Sequence, residues 1–156
     1  MAIEKVREYF KELGIDNRIQ EFEVSSATVE LAAEALGCEG CRIAKSLSFK
    51  VDDKPILVVA AGDAKVDNHK YKEQFSQKAK MLLLDECEQL IGHAVGGVCP
   101  FAVNDGVDVY LDKSLKRFDT VFPACGSSNS AIELTIAELE RYSNYKAWVD
   151  VCKGWE

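Results

Sequence analysis

Much of the usual equipment of hydrolases and redox proteins is missing from this chain. Histidine occurs only twice, at His69 and His93, which offers little to a Ser-His-Asp or Cys-His arrangement. There is no G-x-S-x-G elbow and no G-x-x-x-x-G-K-[ST] phosphate loop. Cys38-Glu39-Gly40-Cys41 has zinc or redox spacing, yet no second C-x-x-C completes a four-ligand set. A redox pair belongs at a helix N-terminus, where the dipole lowers the thiol pKa. This one follows a helix end, so it reads as a turn with two thiols, with a metal or redox role as the alternative. Apolar runs are short: Ile56 to Ala61 is far below the ~20 residues a membrane helix needs. No apolar stretch follows Met1-Ala2-Ile3-Glu4-Lys5, which predicts a cytoplasmic protein with no secretory signal. The six cysteines are then expected as free thiols. Repeats, low-complexity segments and long linkers are also missing.

What is present fits one domain of 156 residues with a single core. The net charge of -7 argues against binding DNA or other nucleic acid by bulk charge. Between Lys65 and Lys80, however, five lysines (Lys65, Lys70, Lys72, Lys78, Lys80) stand against only Asp67 and Glu73. Such a run is commonly a solvated helix face, and here it is also the one place that would welcome a polyanion.

Ile3, Val6, Phe10 and Leu13 fall at helical spacing over residues 2–13, with Gly14 as a stop. A short strand is expected around Ile19 to Val24. Thr28 can cap a second helix that Gly37 ends. Ile43 to Val51 alternates as a strand, and Pro55 to Ala61 reads as a strand buried on both faces. A lysine-rich helix is predicted from about Asn68 to Phe75. Met81 to Leu84 reads as a short buried strand, and Asp85 as the cap of a helix through Ile91. Strands are predicted at 107–111, 118–122, 131–134 and 147–151, with a helix from about Thr135 to Tyr142. Several strands are too closely linked for helical crossovers, which predicts a mixed sheet or partly closed barrel rather than a doubly wound fold.

Gly96-Gly97-Val98-Cys99-Pro100-Phe101 is the stretch around which the rest can be organised. Adjacent glycines let backbone amides approach an oxyanion or carbonyl oxygen without a Cβ in the way, and Pro100 stiffens the far side. The plain alternative is a turn between strands. Cys99 could serve as a nucleophile, but both histidines read as isolated, and a packed thiol is the simpler state. Lys45 opens an apolar strand; it either reaches solvent or holds an anionic or carbonyl group in a cleft. Gly62-Asp63 ends the next strand, and Gly126-Ser127-Ser128-Asn129-Ser130 forms a second small polar loop.

Taken in order, these residues resemble the YbaK/prolyl-tRNA-synthetase-associated editing family. The landmarks are Arg42-Ile43-Ala44-Lys45-Ser46-Leu47, the apolar strand ending in Gly62-Asp63, the G-x-x-x-P loop Gly96 to Pro100 continued by Phe101, and Gly126 to Leu134 leading into a helix. The resemblance covers nearly the whole chain, from Thr28 to about Val149. It implies a compact α/β domain whose mixed sheet curls into a barrel-like core with surrounding helices. It also implies a trans-editing deacylase acting on the ester of a mischarged tRNA. That substrate would be tRNA-Pro carrying alanine or cysteine, with serine or threonine as alternatives and prolyl-tRNA synthetase as a partner. Lys45 would hold the substrate near its reacting end, and Gly96, Gly97, Val98, Cys99 and Pro100 would bind the aminoacyl group. Asp63, Phe101 and Gly126 to Ser130 would line the pocket, and the lysine run would contact the tRNA backbone. No metal or cofactor is implied. Two positions depart from the pattern: Ser130 stands where some members carry histidine, and Ala102 where glycine often follows Pro-Phe. A non-catalytic aminoacyl-tRNA-binding module is the alternative of a different class.

Overall fold

Val6 and Phe10, one helical turn apart, are fully buried and anchor helix α1 (Ala2–Glu12) to the core. The computed structural model describes residues 2–94 and 96–155. A two-residue strand β1 (Gln20–Glu21) follows, then α2 (Val29–Leu36). Thr28 caps α2 through its hydroxyl, which accepts the Leu31 N–H at 3.2 Å, and Gly37 ends it in the left-handed conformation.

The long hairpin β2 (Ile43–Val51) and β3 (Lys54–Ala61) is the spine of the fold. Asp52 and Asp53 both take positive φ in its turn. From Ile56 onward β3 is buried at every position, because sheet neighbours flank it and layers cover both faces. The remaining strands are β4 (Lys65–Val66), β5 (Asp108–Asp112), β6 (Thr120–Pro123), β7 (Ser130–Ala131), β8 (Leu134–Thr135), β9 (Ala147–Val149) and β10 (Cys152–Lys153). The other helices are α3 (Asn68–Phe75), α4 (Leu84–Ile91) and α5 (Ile136–Ser143). Among the described residues the main sheet has the order β8-β6-β2-β3-β5-β9, and β1-β7 and β4-β10 form two small pairs. β2 runs antiparallel to β3 but parallel to β6, while β3, β5 and β9 run parallel in turn. This is the expected mixed α/β domain, a curled half-barrel sheet with helices around it.

Several local expectations need correction. Met81 to Leu84 is not a buried strand. Only Met81 bridges to Phe49, and Met81, Leu83 and Leu84 are exposed. Leu83, not Asp85, occupies the cap position: its N–H donates to the Glu86 carboxylate at 3.0 Å, and Asp85 lies in the first turn. The predicted strand 131–134 is two strands in two sheets, because Ile132 turns to donate to the Pro123 carbonyl at 3.0 Å. Phe118 stays outside β6, after a 3-10 turn over Lys113–Arg117. The strand predicted at 147–151 stops at Val149, where Asp112 accepts the Val151 N–H at 2.9 Å, and β10 follows.

Candidate functional site

β2 and β6 lie side by side only at Ile43 and Ala44. Beyond that point the sheet opens, and residues 80–82 take over beside the far end of β2. Lys50 donates there to the Lys80 carbonyl at 2.9 Å and Leu82 to the Ser48 carbonyl at 3.2 Å. The gap is a hollow of about 340 Å³, within the range of small-molecule sites. Helix α2 covers it through Val29 and Ala32; Ile43 and Phe122 wall it; Gly96 and Val98 close one side. Ser46, Ser48 and Cys87 are among its lining residues. Ser48 Oγ lies 3.8 Å from Cys87 Sγ, whereas Ser46 Oγ is buried with no partner. Neither serine is conspicuous in the sequence, where both read as the polar face of a strand.

Lys45 lines this hollow. Its ammonium donates to the carbonyls of Gly62, at 3.4 Å, and Ala64. Burial of the half-enclosed side chain pulls its pKa below the ordinary lysine value. Gly62 lets the Gly40 turn pack against the end of β3, since a Cβ there would stand 2.0 Å from the Gly40 carbonyl oxygen.

The glycine loop divides its residues between two environments. Gly96, at φ +96°, lines the hollow together with Val98. Gly97 faces the other way: a Cβ on it would stand 2.7 Å from backbone atoms of Gly126 and Ser127. Its N–H donates to the Ala94 carbonyl at 3.0 Å, so that amide is committed within the loop. Cys99, Pro100 and Phe101 turn into the core. The Phe101 ring packs 4.8 Å from Phe10 and is not among the residues lining the hollow. The Cys99 thiol is completely buried, and burial pushes its pKa up to about 12.

His93 is isolated in the sequence, yet its Nε2 lies 3.5 Å from Cys99 Sγ and 2.7 Å from the Phe101 carbonyl oxygen. A carbonyl only accepts, so Nε2 carries the proton. The thiol therefore meets an N–H rather than a basic lone pair. This is a loop clasp, not a cysteine–histidine nucleophile. The other nitrogen, Nδ1, is buried without a partner, and burial lowers the pKa of the ring.

Of the second polar loop, only Ser130 reaches the enclosed hollow. Gly126, Ser127, Ser128 and Asn129 line a more open hollow of about 670 Å³ with Gly97, Lys5, Glu88 and Asn104. Ser127 Oγ bonds Ser130 Oγ at 2.6 Å, and Asn129 exchanges bonds with Phe22, donating through Nδ2 at 2.9 Å and accepting its N–H at 2.8 Å. Asp63 is not among the lining residues of the enclosed hollow. Arg117 grips both its oxygens, at 3.0 and 2.6 Å, and holds its carboxyl below the usual range.

The lysines separate as well. Lys70 donates to Asp150 at 3.2 Å and to the Cys152 carbonyl at 2.9 Å, as part of the fold. Lys72 and Lys78 share a shallow groove with His69, Lys65 lies exposed on β4, and Lys80 is exposed just before Met81. Cys38 and Cys41 are free thiols whose pKa values burial raises, the reverse of thiolate activation. Among the described residues no group of three or more His, Cys, Asp or Glu could hold a metal ion. No helix there is long and apolar enough to cross a membrane.

Comparison with known proteins gives this geometry a setting. A family model described as the aminoacyl-tRNA editing domain matches residues 23–142. YwhH, an uncharacterized protein of Bacillus subtilis (strain 168), is 56% identical over 157 residues, spanning all of both chains. A proline–tRNA ligase of Lactiplantibacillus plantarum is 27% identical over 125 residues, which are 80% of this chain but only 22% of the ligase. Among solved structures, a proposed trans-editing enzyme for prolyl-tRNA synthetase superposes with a TM-score of 0.87 at 26% identity, covering 98% of each chain. The hypothetical protein APE2540 gives 0.84 at 27% identity, with 96% of this chain and 99% of that one covered.

Proposed function

The chain belongs to the aminoacyl-tRNA editing domain family, and on that premise we propose that it hydrolyses the ester joining a wrong amino acid to tRNA. The enclosed hollow receives the amino acid. The observation that carries this reading is the meeting of Lys45, Gly96 and Ser130 around one 340 Å³ space. The proposed substrate is tRNA-Pro carrying alanine or cysteine, with serine or threonine as further candidates. The ligase and trans-editing relatives support the choice of that tRNA and of prolyl-tRNA synthetase as a partner in the cytoplasm.

A second, small pocket is what such a task requires. One methylene is worth only ~1–3 kcal/mol of discrimination, too little for a synthetase to reject every smaller amino acid by binding alone. The chemistry is modest. A water oxygen bonds to the carbonyl carbon, the ester C–O bond breaks, and the ribose oxygen leaves with a proton. Lys45 has spent two of its three N–H donors on Gly62 and Ala64. The third can face the oxygen on which negative charge develops. Among the described lining residues there is no carboxylate and no histidine. The water is therefore oriented by the loop backbone and the substrate's own vicinal hydroxyl.

That same lack of a protein base favours one competing reading, a module that binds aminoacyl-tRNA without cleaving it. Proline tRNAs charged with alanine, cysteine, serine or threonine, offered to wild type and Lys45→Ala, decide between them. Release from one member, lost in Lys45→Ala, establishes editing and names the amino acid. No release with tight binding establishes the module, and neither release nor binding removes both.

A further inference from the structure

Among the described residues five large apolar side chains are exposed, and three of them lie in one tetrapeptide: Met81 is 58% exposed, Leu83 66% and Leu84 76%. Two of these, Met81 and Leu84, also form part of the wall of the enclosed hollow. The hollow thus has an apolar lip open to water. An exposed apolar cluster of this kind marks a surface that something covers. The chain leading into it is cationic, with Lys78 and Lys80 both exposed. The lip is also well supported: Leu82 is buried and bonded to Ser48, and Met81 bridges to Phe49 on β2.

We propose that Met81 and Leu84 are the platform for the terminal base of the strand whose amino acid occupies the hollow, with Lys78 and Lys80 facing the phosphates that follow. The inference rests on the editing reading and deepens it. An amino acid in the hollow is covalently joined to a ribose at its mouth, so the attached base has to leave across whatever lines the rim. A base has an apolar π-face and a single strand has a charged backbone, which is the combination this rim presents. Methionine suits the role, since its thioether packs well on an aromatic ring and adapts to its position. A protein partner seated on the same lip would instead cap the hollow and shut out the ester.

The test is binding of a 5′-ACCA oligonucleotide whose terminal ribose carries alanine through a non-hydrolysable amide. Its twin has the terminal base removed. Loss of the base should weaken binding to wild type about tenfold. It should cost a Met81→Ser/Leu84→Ser variant less than twofold, while Met81→Leu/Leu84→Met restores the dependence on the base. Lys78→Gln/Lys80→Gln should reduce the slope of log affinity against log salt by about 1.4, at about 0.7 per single-strand phosphate contact. An equal loss in wild type and the serine variant, no dependence on the base in wild type, or no binding of either oligonucleotide overturns the proposal. Release of the amino acid from charged tRNA is scored separately. Editing with base-independent binding leaves the proposed function standing and removes the platform. Base-dependent binding without release does the reverse.

Discussion

Gly96 and Gly97 are neighbours in sequence but face two hollows lined by different side chains. The one beside Gly96 is about 340 Å³ and enclosed by apolar walls around Lys45, Ser46 and Ser130. The one beside Gly97 is about 670 Å³ and rimmed by Lys5, Glu88, Asn104 and the Ser127 to Asn129 loop. The lysine of the first, Lys45, is half-buried, where solvent screens charge less; the lysine of the second, Lys5, is exposed. Chemistry that depends on one cation and a few dipoles belongs in the first.

The largest effect expected from this difference is at Lys45. Lys45→Met keeps the apolar stem and removes the ammonium. The editing reading predicts a fall in kcat/KM of about 10²–10³, equivalent to roughly 2.7–4 kcal/mol, the cost of one transition-state donor. Stability should change by only about 1 kcal/mol, because the lost bonds to Gly62 and Ala64 are offset by relief of a half-buried charge. Single-turnover deacylation beside a urea melt separates the two quantities. A small kinetic effect would place the chemistry outside the enclosed hollow.

Next comes the partition itself. A Cβ on Gly97 would lie 2.7 Å from the Gly126 and Ser127 backbone, atoms that cannot swing away as a side chain can. Gly97→Ala should destabilise by about 3 kcal/mol through overpacking and should disturb both hollows together. Gly96→Ala meets only Ala27 and Ser128 Cβ atoms at 3.6 Å, so its cost is the positive φ alone, about 1 kcal/mol. Urea midpoints for the pair test whether the loop is wedged on one side only.

A smaller effect concerns the frame of the enclosed hollow. Ser130 and Ala131 line it and pair with β1. Arg18, just before β1, ties that strand to the corner beyond β7 by donating to the Glu138 carboxylate at 2.7 and 3.1 Å and to the Glu133 carbonyl at 2.6 Å. The hydrogen bond from Arg18 is the largest cause holding the Glu138 pKa near 2, against 4.5 for a free glutamate. A depressed carboxylate pKa stabilises the fold above the unfolded value, and that stability drains as pH falls through the folded one. Glu138→Gln should therefore cost about 1–2 kcal/mol at pH 7, after allowance for solvent at a partly exposed pair. The difference from wild type should shrink from pH 4.5 downward and vanish near pH 2. A difference that stays constant with pH would assign the role to capping of α5 rather than to the ion pair.

Where each part of this picture was legible in the sequence follows from the range of the forces that set it. β2 has the bounds its alternation predicts, and α2 and α5 begin at their threonine caps. Those signals are local. Met81 to Leu84 misled because an apolar run predicts burial, whereas here only Leu82 turns inward. The ion pair of Asp63 was not legible because the Arg117 that captures it is 54 residues away. His93 was missed because its contact with Cys99 is made by the loop closing on itself, not by either residue's sequence context. Lys45 and Gly96 could be found without structure as candidates. That Ser46 Oγ lies buried and unpartnered depends on β6 leaving β2 after Ala44, a property of sheet topology alone.

The smallest effect completes the contrast between the hollows. Lys5 is an exposed cation at the rim of the open one, on α1. Removing a charge at a solvent-exposed rim withdraws about 1 kcal/mol at 4 Å in bulk dielectric, and salt screens even that. Lys5→Gln should change kcat/KM for charged tRNA less than twofold at 0.15 M salt, roughly the physiological ionic strength. If the open hollow only borders the path of the nucleic acid, the salt dependence of binding will be unchanged. If a phosphate rests there, the slope of log affinity against log salt should fall by about 1. A loss as large as that of Lys45→Met would mean that the open hollow, not the enclosed one, holds the reacting end, and the roles assigned to Gly96 and Gly97 would have to be exchanged.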